Sequence, residues 1–236
     1  MFERAHHRRI AQILSVIDGQ QLRELHCWFA GGTAIVMRFG EFRESLDIDF
    51  MMSDRDGYRV LRQQVTGPNG VLAVMLPQQA VVEQLREVRV DQYGIRTMLA
   101  VDDRPIKFEI VLEGRIQFDQ PSKRDVVGGI MTLTPTDLVV SKLLANSDRW
   151  ADDGVFSRDV IDLAMMQPAK KTLQTALAKS EAAYGKAVHA DLVKAIGRLR
   201  LREGRLDRCL EQLQVSVPKA VVWKHLRRLL RMTKGL

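Results

Sequence analysis

With 236 residues, 46% of them hydrophobic, and a formal charge of +7, the chain can bury one large core or two small ones. No apolar run approaches the ~20 residues needed to span a bilayer. The opening MFERAHHRRIAQIL carries charge where a secretory signal needs an apolar block, and Cys27 and Cys209 have neither zinc-site spacing nor disulfide-scaffold density, so a soluble cytoplasmic protein with packed thiols is expected.

In chain order, Ile10, Ile13, Leu14, Ile17, Leu22 and Leu25 recur at helical spacing over residues 2–26, with a break at Asp18 and Gly19. CWFAGG reads as a short strand closing in a double glycine, and TAIVMRFG as a helix with a Thr33 cap and a stop at Gly40. In SLDIDFMM, Leu46, Ile48 and Phe50 alternate with Ser45, Asp47 and Asp49, so a strand here has one apolar face and one face bearing both carboxylates. Residues 54–64 read as a helix, 67–70 as a turn and 71–76 as a short strand, with Pro77 and a further helix-like run beyond. Strands are expected at 88–101 and 106–112 around the turn Asp102-Asp103-Arg104-Pro105, and a third at 115–118. From Thr134 the pattern becomes helical: TPTDLVVSKLLANSDR opens with a capping signal and Pro135. Helices are expected at 159–166, 173–179, 186–199, 205–213 and 218–232, broken at Pro168, Gly185, Gly204 and Pro218.

The charge is unevenly placed. Residues 170–236 carry 16 Lys or Arg against 5 Asp or Glu, which is +11, while the preceding part carries 20 against 24, which is −4. A basic segment of this kind suits a polyanion such as RNA, although solvated helix faces give the same count. Trp150 and Trp223 lie beside charged residues and are candidates for stacking on bases; Trp28 is expected in the core, and His6 and His7 in solvent.

Two aspartates at i and i+2 on a strand repel each other unless a cation lies between them, which makes Asp47 and Asp49 candidate magnesium ligands. Gly31 and Gly32, at a turn before a helix, let backbone approach a phosphate closely. A third carboxylate, Glu109 in IKFEIV, faces opposite to Phe108 and Ile110 and is a candidate third ligand from a neighbouring strand.

Taken in order, Gly31-Gly32-Thr33-Ala34, then Arg43-x-Ser45-x-Asp47-Ile48-Asp49-Phe50, then Lys142, then Arg158-Asp159-x-x-Asp162-Leu163, the chain resembles the AbiEii/AbiGii-type toxin nucleotidyltransferases of the polymerase-beta-like superfamily. The resemblance implies an α/β (α+β) core with a mixed sheet over residues 1–133 and an all-helical region over 134–236 that contributes Lys142 and Asp159 to the site. It implies that Gly31, Gly32 and Thr33 receive a nucleoside triphosphate and that Asp47 and Asp49 are catalytic and bind magnesium. Lys142 would neutralise phosphate oxygens and Asp159 would orient it or the incoming hydroxyl, with Arg43, Ser45 and Asp162 as further binding residues. Many polymerase-beta-like enzymes have aspartate where this chain offers Glu109, so the third ligand is the point at which it departs from the pattern. A phosphate on Ser45 is expected to place negative charge beside Asp47 and block triphosphate binding. The implied activity is a toxin that transfers NMP from an NTP to RNA, for example the 3′ end of tRNA, restrained by an antitoxin and with no role for a membrane. The alternatives are transfer to a small molecule or protein side chain, and a silent nucleic-acid-binding module.

Overall fold

The computed structural model describes residues 2–76 and 82–233 and divides into two compact units. The first comprises Met1–Arg38 and Ser45–Thr134; the second comprises Phe39–Glu44 and Pro135–Leu236.

The first unit holds α1 (Ala5–Val16), α2 (Gly19–Glu24), β1 (Trp28–Ala30), α3 (Gly31–Arg38), β2 (Ile48–Met52) and α4 (Arg55–Val65). A 3-10 turn at Gly70–Val74 follows, then β3 (Glu83–Gln84), β4 (Arg89–Val90), β5 (Gly94–Val101), β6 (Arg104–Leu112), β7 (Val126–Val127) and β8 (Ile130–Met131). The expected break between the first two helices is Asp18, whose carboxylate accepts from Gln20 N and Gln21 N as an N-cap. The main sheet runs β1-β2-β6-β5-β3, with β4 also on β5; β1 is antiparallel to β2, β2 parallel to β6, and β6 antiparallel to β5. It is therefore the mixed sheet expected of an α/β (α+β) core.

Its apolar face is fixed by three fully buried rings, one from each of β1, β2 and β6. The Phe29 and Phe50 centroids are 5.5 Å apart, and those of Phe50 and Phe108 are 5.6 Å apart. Burying each contributes about 1.5–3 kcal/mol, and alternation then turns Asp49 and Glu109 to the other face. Trp28 is buried, as expected.

Several local expectations are corrected. Leu46 is 55% exposed, because regular pairing begins only at Ile48 and the face alternation does not extend to it. Residues 70–74 form a 3-10 turn in place of a strand, and residues 115–118 belong to no strand. The helix-like run after Pro77 lies partly outside the described residues, and its later part supplies β3. The turn between β5 and β6 is tighter than expected: Asp102 and Asp103, at φ +51° and +57°, make a two-residue hairpin loop and leave Arg104 and Pro105 in the strand. The β7–β8 hairpin has no counterpart in the reading of the sequence.

The second unit is helical: α5 (Pro135–Arg149), α6 (Arg158–Met166), α7 (Lys170–Tyr184), α8 (Ala187–Leu201), α9 (Arg205–Gln212) and α10 (Lys219–Thr233). Helix α5 packs on α6, α7 and α8, and α6 packs on α10. Residues 39–44, which precede the acidic motif in sequence, group with this unit: Ser216 N donates to Phe42 O at 2.9 Å and Glu44 N to Leu213 O at 3.2 Å. Among the described residues no helix is long and apolar enough to cross a membrane. Both cysteines are buried thiols, and burial raises the pKa of Cys27.

Candidate active site

In the first unit, β1 ends at Ala30, opposite Asp49 on β2, and the chain turns at once into α3. The turn needs glycine on two counts. Gly31 has φ +71°, and a Cβ there would fall 2.7 Å from Asp49 Cβ and collide with its carboxylate. The start of α3 and the Asp49 side chain therefore pack with nothing between them. Thr33 is fully buried in the first turn of α3, and its hydroxyl meets the Asp47 carbonyl oxygen and Ser45 Oγ, the latter at 2.9 Å. Thr33 thus lies inside the first turn and is not the expected cap, and it ties the helix to the segment that carries the acids.

His7, expected in solvent beside Arg8, is fully buried and its Nε2 accepts from Ser45 N at 3.1 Å. The sequence signal for this was its spacing: His7 falls three residues before Ile10 and so on the apolar face of α1.

Glu109 lies directly across from Asp49 in the parallel register. Its oxygens are already engaged, Oε1 by Arg96 Nε at 2.6 Å and Oε2 by Lys107 Nζ at 2.5 Å. Burial pushes its carboxyl up, but hydrogen bonds from Lys107 and Arg96 outweigh this and leave it below the ordinary value. Burial likewise draws the Lys107 ammonium down, whereas Glu109 and the charges of Asp49 and Asp47 together hold it above the ordinary value. Both acids of the pair thus act on the same ammonium.

The second unit builds a separate charged cluster around α5 and α6. Arg43 grips Asp162 in a fork, Nε to Oδ1 at 2.7 Å and Nη2 to Oδ2 at 2.8 Å. Lys142 Nζ bridges Asp162 Oδ2 at 2.7 Å and Asp159 Oδ1 at 2.9 Å, and Arg149 holds Asp159 through Nε at 2.7 Å and Nη2 at 3.0 Å. Arg43, Lys142, Asp159 and Asp162 are all buried, and Arg149 is the partly exposed end. Burial raises the Asp159 carboxyl, but Lys142 and Arg149 outweigh it and hold it well below the ordinary range; Asp162 is lowered in the same way by Arg43 and Lys142. Burial works against the Arg43 guanidinium, and Asp162 raises it.

Three cations against two carboxylates leave one positive charge. The i, i+3 spacing of Asp159 and Asp162 puts both on one face of α6, where a single lysine reaches both. Arg149 was not singled out in the sequence; the signal for it was its position seven residues after Lys142 on the same helix face.

A family model for "Nucleotidyl transferase AbiEii toxin, Type IV TA system" matches residues 13–230. The chain belongs to the AbiEii nucleotidyltransferase toxin family. It is therefore a nucleotidyltransferase of a toxin family. No curated protein matches it. Among solved structures, an H. pylori protein provisionally called a nucleotidyltransferase is similar to this AbiEii-family chain at TM-score 0.54 and 14% identity, covering 99% of this chain and 95% of the other. JHP933 from Helicobacter pylori gives TM-score 0.43 at 15% identity, covering 100% and 99%. At these identities the first of the two speaks for the fold.

Among the described residues, no group of three or more His, Cys, Asp or Glu is arranged to hold a metal. The expected trio of Asp47, Asp49 and Glu109 is thus not a ready cage, since Glu109 is engaged by two cations. A two-carboxylate site fits magnesium, which typically takes one or two carboxylates and completes its shell with water and phosphate oxygens. At Gly31 the missing Cβ brings the backbone of the turn directly against the Asp49 side chain.

Proposed function

We propose that this AbiEii-family chain transfers a nucleotide from a nucleoside triphosphate to an RNA hydroxyl, with Mg2+ held by Asp47 and Asp49 and a tRNA 3′ end as the favoured acceptor. The observation that carries this reading is the packing of Gly31, at the start of a helix, directly on Asp49, which brings helix-start backbone against an acid of the pair.

In this reaction the acceptor hydroxyl attacks the α-phosphate and pyrophosphate leaves. Bound Mg2+ supplies charge neutralisation for the phosphate oxygens. Gly31 and Gly32 present backbone close to the triphosphate, and Thr33, fastened to the Asp47 carbonyl and Ser45, fixes the turn against the acidic segment. Within the second unit Lys142, Arg43 and Arg149 outnumber Asp159 and Asp162, so their cluster keeps a positive charge of the kind that neutralises phosphate oxygens. Lys142, tied to two carboxylates, acts as the centre of that cluster and not as a swinging phosphate hook.

RNA as acceptor draws on the +11 of residues 170–236 and on the convergence of Arg198, Arg202 and Arg205 on Asp153, at 2.7, 3.3 and 2.8 Å, which leaves surplus positive charge on the second unit. The antitoxin is the partner that a type IV system implies.

The test is incubation with total RNA and each labelled triphosphate in turn, comparing the wild type with Asp47→Ala. Label entering RNA with the wild type alone is the expected result. Label entering a small molecule or protein instead would replace RNA as the acceptor, and RNA binding without any incorporation would sink the enzymatic role.

A further inference from the structure

The acid pair meets a ladder of charges on the adjacent strand. In the parallel register Ile48 lies opposite Phe108 and Asp49 opposite Glu109, with Asp47 and Lys107 each one residue before the first of these pairs. Phe108 is fully buried on the apolar face, so Lys107 and Glu109 share the face of Asp49, and the charges of both Asp49 and Asp47 act on the Lys107 ammonium. Glu109, with a side chain 14% exposed, is fastened from one side by Arg96 Nε at 2.6 Å and from the other by Lys107 Nζ at 2.5 Å, and Arg96 is itself braced by Asp91 at 2.9 Å. The order of charges is Asp91, Arg96, Glu109, Lys107, then the acid pair. Lys107 is 44% exposed, and an ammonium has three donors, so the bond to Glu109 leaves capacity for neighbouring carboxylates.

We infer that Lys107 is a positioning residue, the resident counter-cation of Asp47 and Asp49, which competes with a divalent cation for them, and that Glu109 is its anchor and not a third metal ligand. The inference rests on the proposed role of Asp47 and Asp49 as the metal-holding carboxylates.

Its consequence is an order of events. As a general scale, a unit positive charge about 6 Å from a divalent cation in water would weaken its binding roughly tenfold. The metal alone therefore binds weakly, and the negative charge of an incoming triphosphate tips the balance. Lys107 thereby links metal occupancy to the presence of nucleotide, and the ammonium displaced from the aspartates finds phosphate oxygens in their place.

The experiment is calorimetric titration of the full chain with MnCl2 or MgCl2 in the absence of nucleotide, with thermal unfolding run on each variant to establish that it is folded. Lys107→Gln is expected to bind the cation about tenfold more tightly than the wild type, and Lys107→Arg to bind like the wild type. The double variant Lys107→Gln/Glu109→Gln removes one charge of each sign and is expected to bind at least as tightly as the wild type. Lys107→Gln binding no more tightly than the wild type would overturn the inference, as would loss of cation binding by the double variant, because a true ligand at Glu109 cannot be removed without that loss. Retention of cation binding by Asp47→Ala and Asp49→Ala would instead overturn the underlying assignment of the acid pair.

Discussion

Gly31 combines a left-handed φ of +71° with a neighbour, Asp49, that occupies the space of any Cβ. Gly31→Ala is therefore expected to lose about 1–3 kcal/mol of stability through backbone strain alone, and nearly all transfer activity through displacement of Asp49; urea unfolding and incorporation assays on one preparation check both. Asp159 carries a different lesson. Its carboxyl, held low by Lys142 and Arg149, contributes stability that is fully present above the unfolded carboxylate pKa of about 4 and fades as pH falls below it toward the depressed folded value. Asp159→Asn is expected to cost about 3–5 kcal/mol at neutral pH, because it strands buried positive charge, and to flatten the decline in stability between about pH 4 and pH 2. Equal acid slopes for wild type and variant in denaturant titrations would count against it. The sequence motif pointed to Asp47, Asp49, Lys142, Asp159 and Asp162 as types and spacings. Beyond the pairing of Lys142 with Asp159 it was silent on partners, because Arg43 meets Asp162 across 119 residues and His7 meets Ser45 across 38, and such contacts leave no periodic trace.

At the scale of elements, α4 shows why some boundaries were readable. Asp54 accepts from Asp56 N at 2.9 Å and Gly57 N at 3.1 Å, which is the local chemistry an N-cap residue announces. Its second oxygen takes His26 Nδ1 at 2.8 Å. Asp54→Ala is expected to lower stability by about 1 kcal/mol, seen as a smaller urea midpoint with unchanged slope, while leaving nucleotide transfer intact. The helices of the second unit were legible for the same reason, since caps, prolines and glycines punctuate them. The 3-10 turn at Gly70–Val74 and the β7–β8 hairpin were not. Short apolar runs such as VLAV carry no period that separates a strand from a turn, and a two-residue strand such as Ile130–Met131 is fixed by its partner and not by its own pattern. Leu46 shows the converse error, an alternation that extends one residue pair beyond the ladder that enforces it.

For the molecule as a whole, the sequence separated a sheet-bearing part from a helical one at Thr134, whereas residues 39–44 group with the helical unit by contacts that only folding creates. The charge difference between the two stretches gives the RNA reading a quantitative form: affinity for RNA should fall steeply with salt, and Arg202→Gln should weaken binding to all sequences alike and reduce the log–log salt slope by about 1. A salt-independent affinity would argue for an uncharged acceptor. The central claim, that Asp47 and Asp49 carry nucleotide transfer in this AbiEii-family chain, is tested most directly by pyrophosphate release from a nucleoside triphosphate in the presence of RNA. Release is expected from the wild type with magnesium, and none from Asp49→Asn, a near-isosteric change, or from the wild type in EDTA. Release by a folded Asp49→Asn protein at the wild-type rate would contradict it.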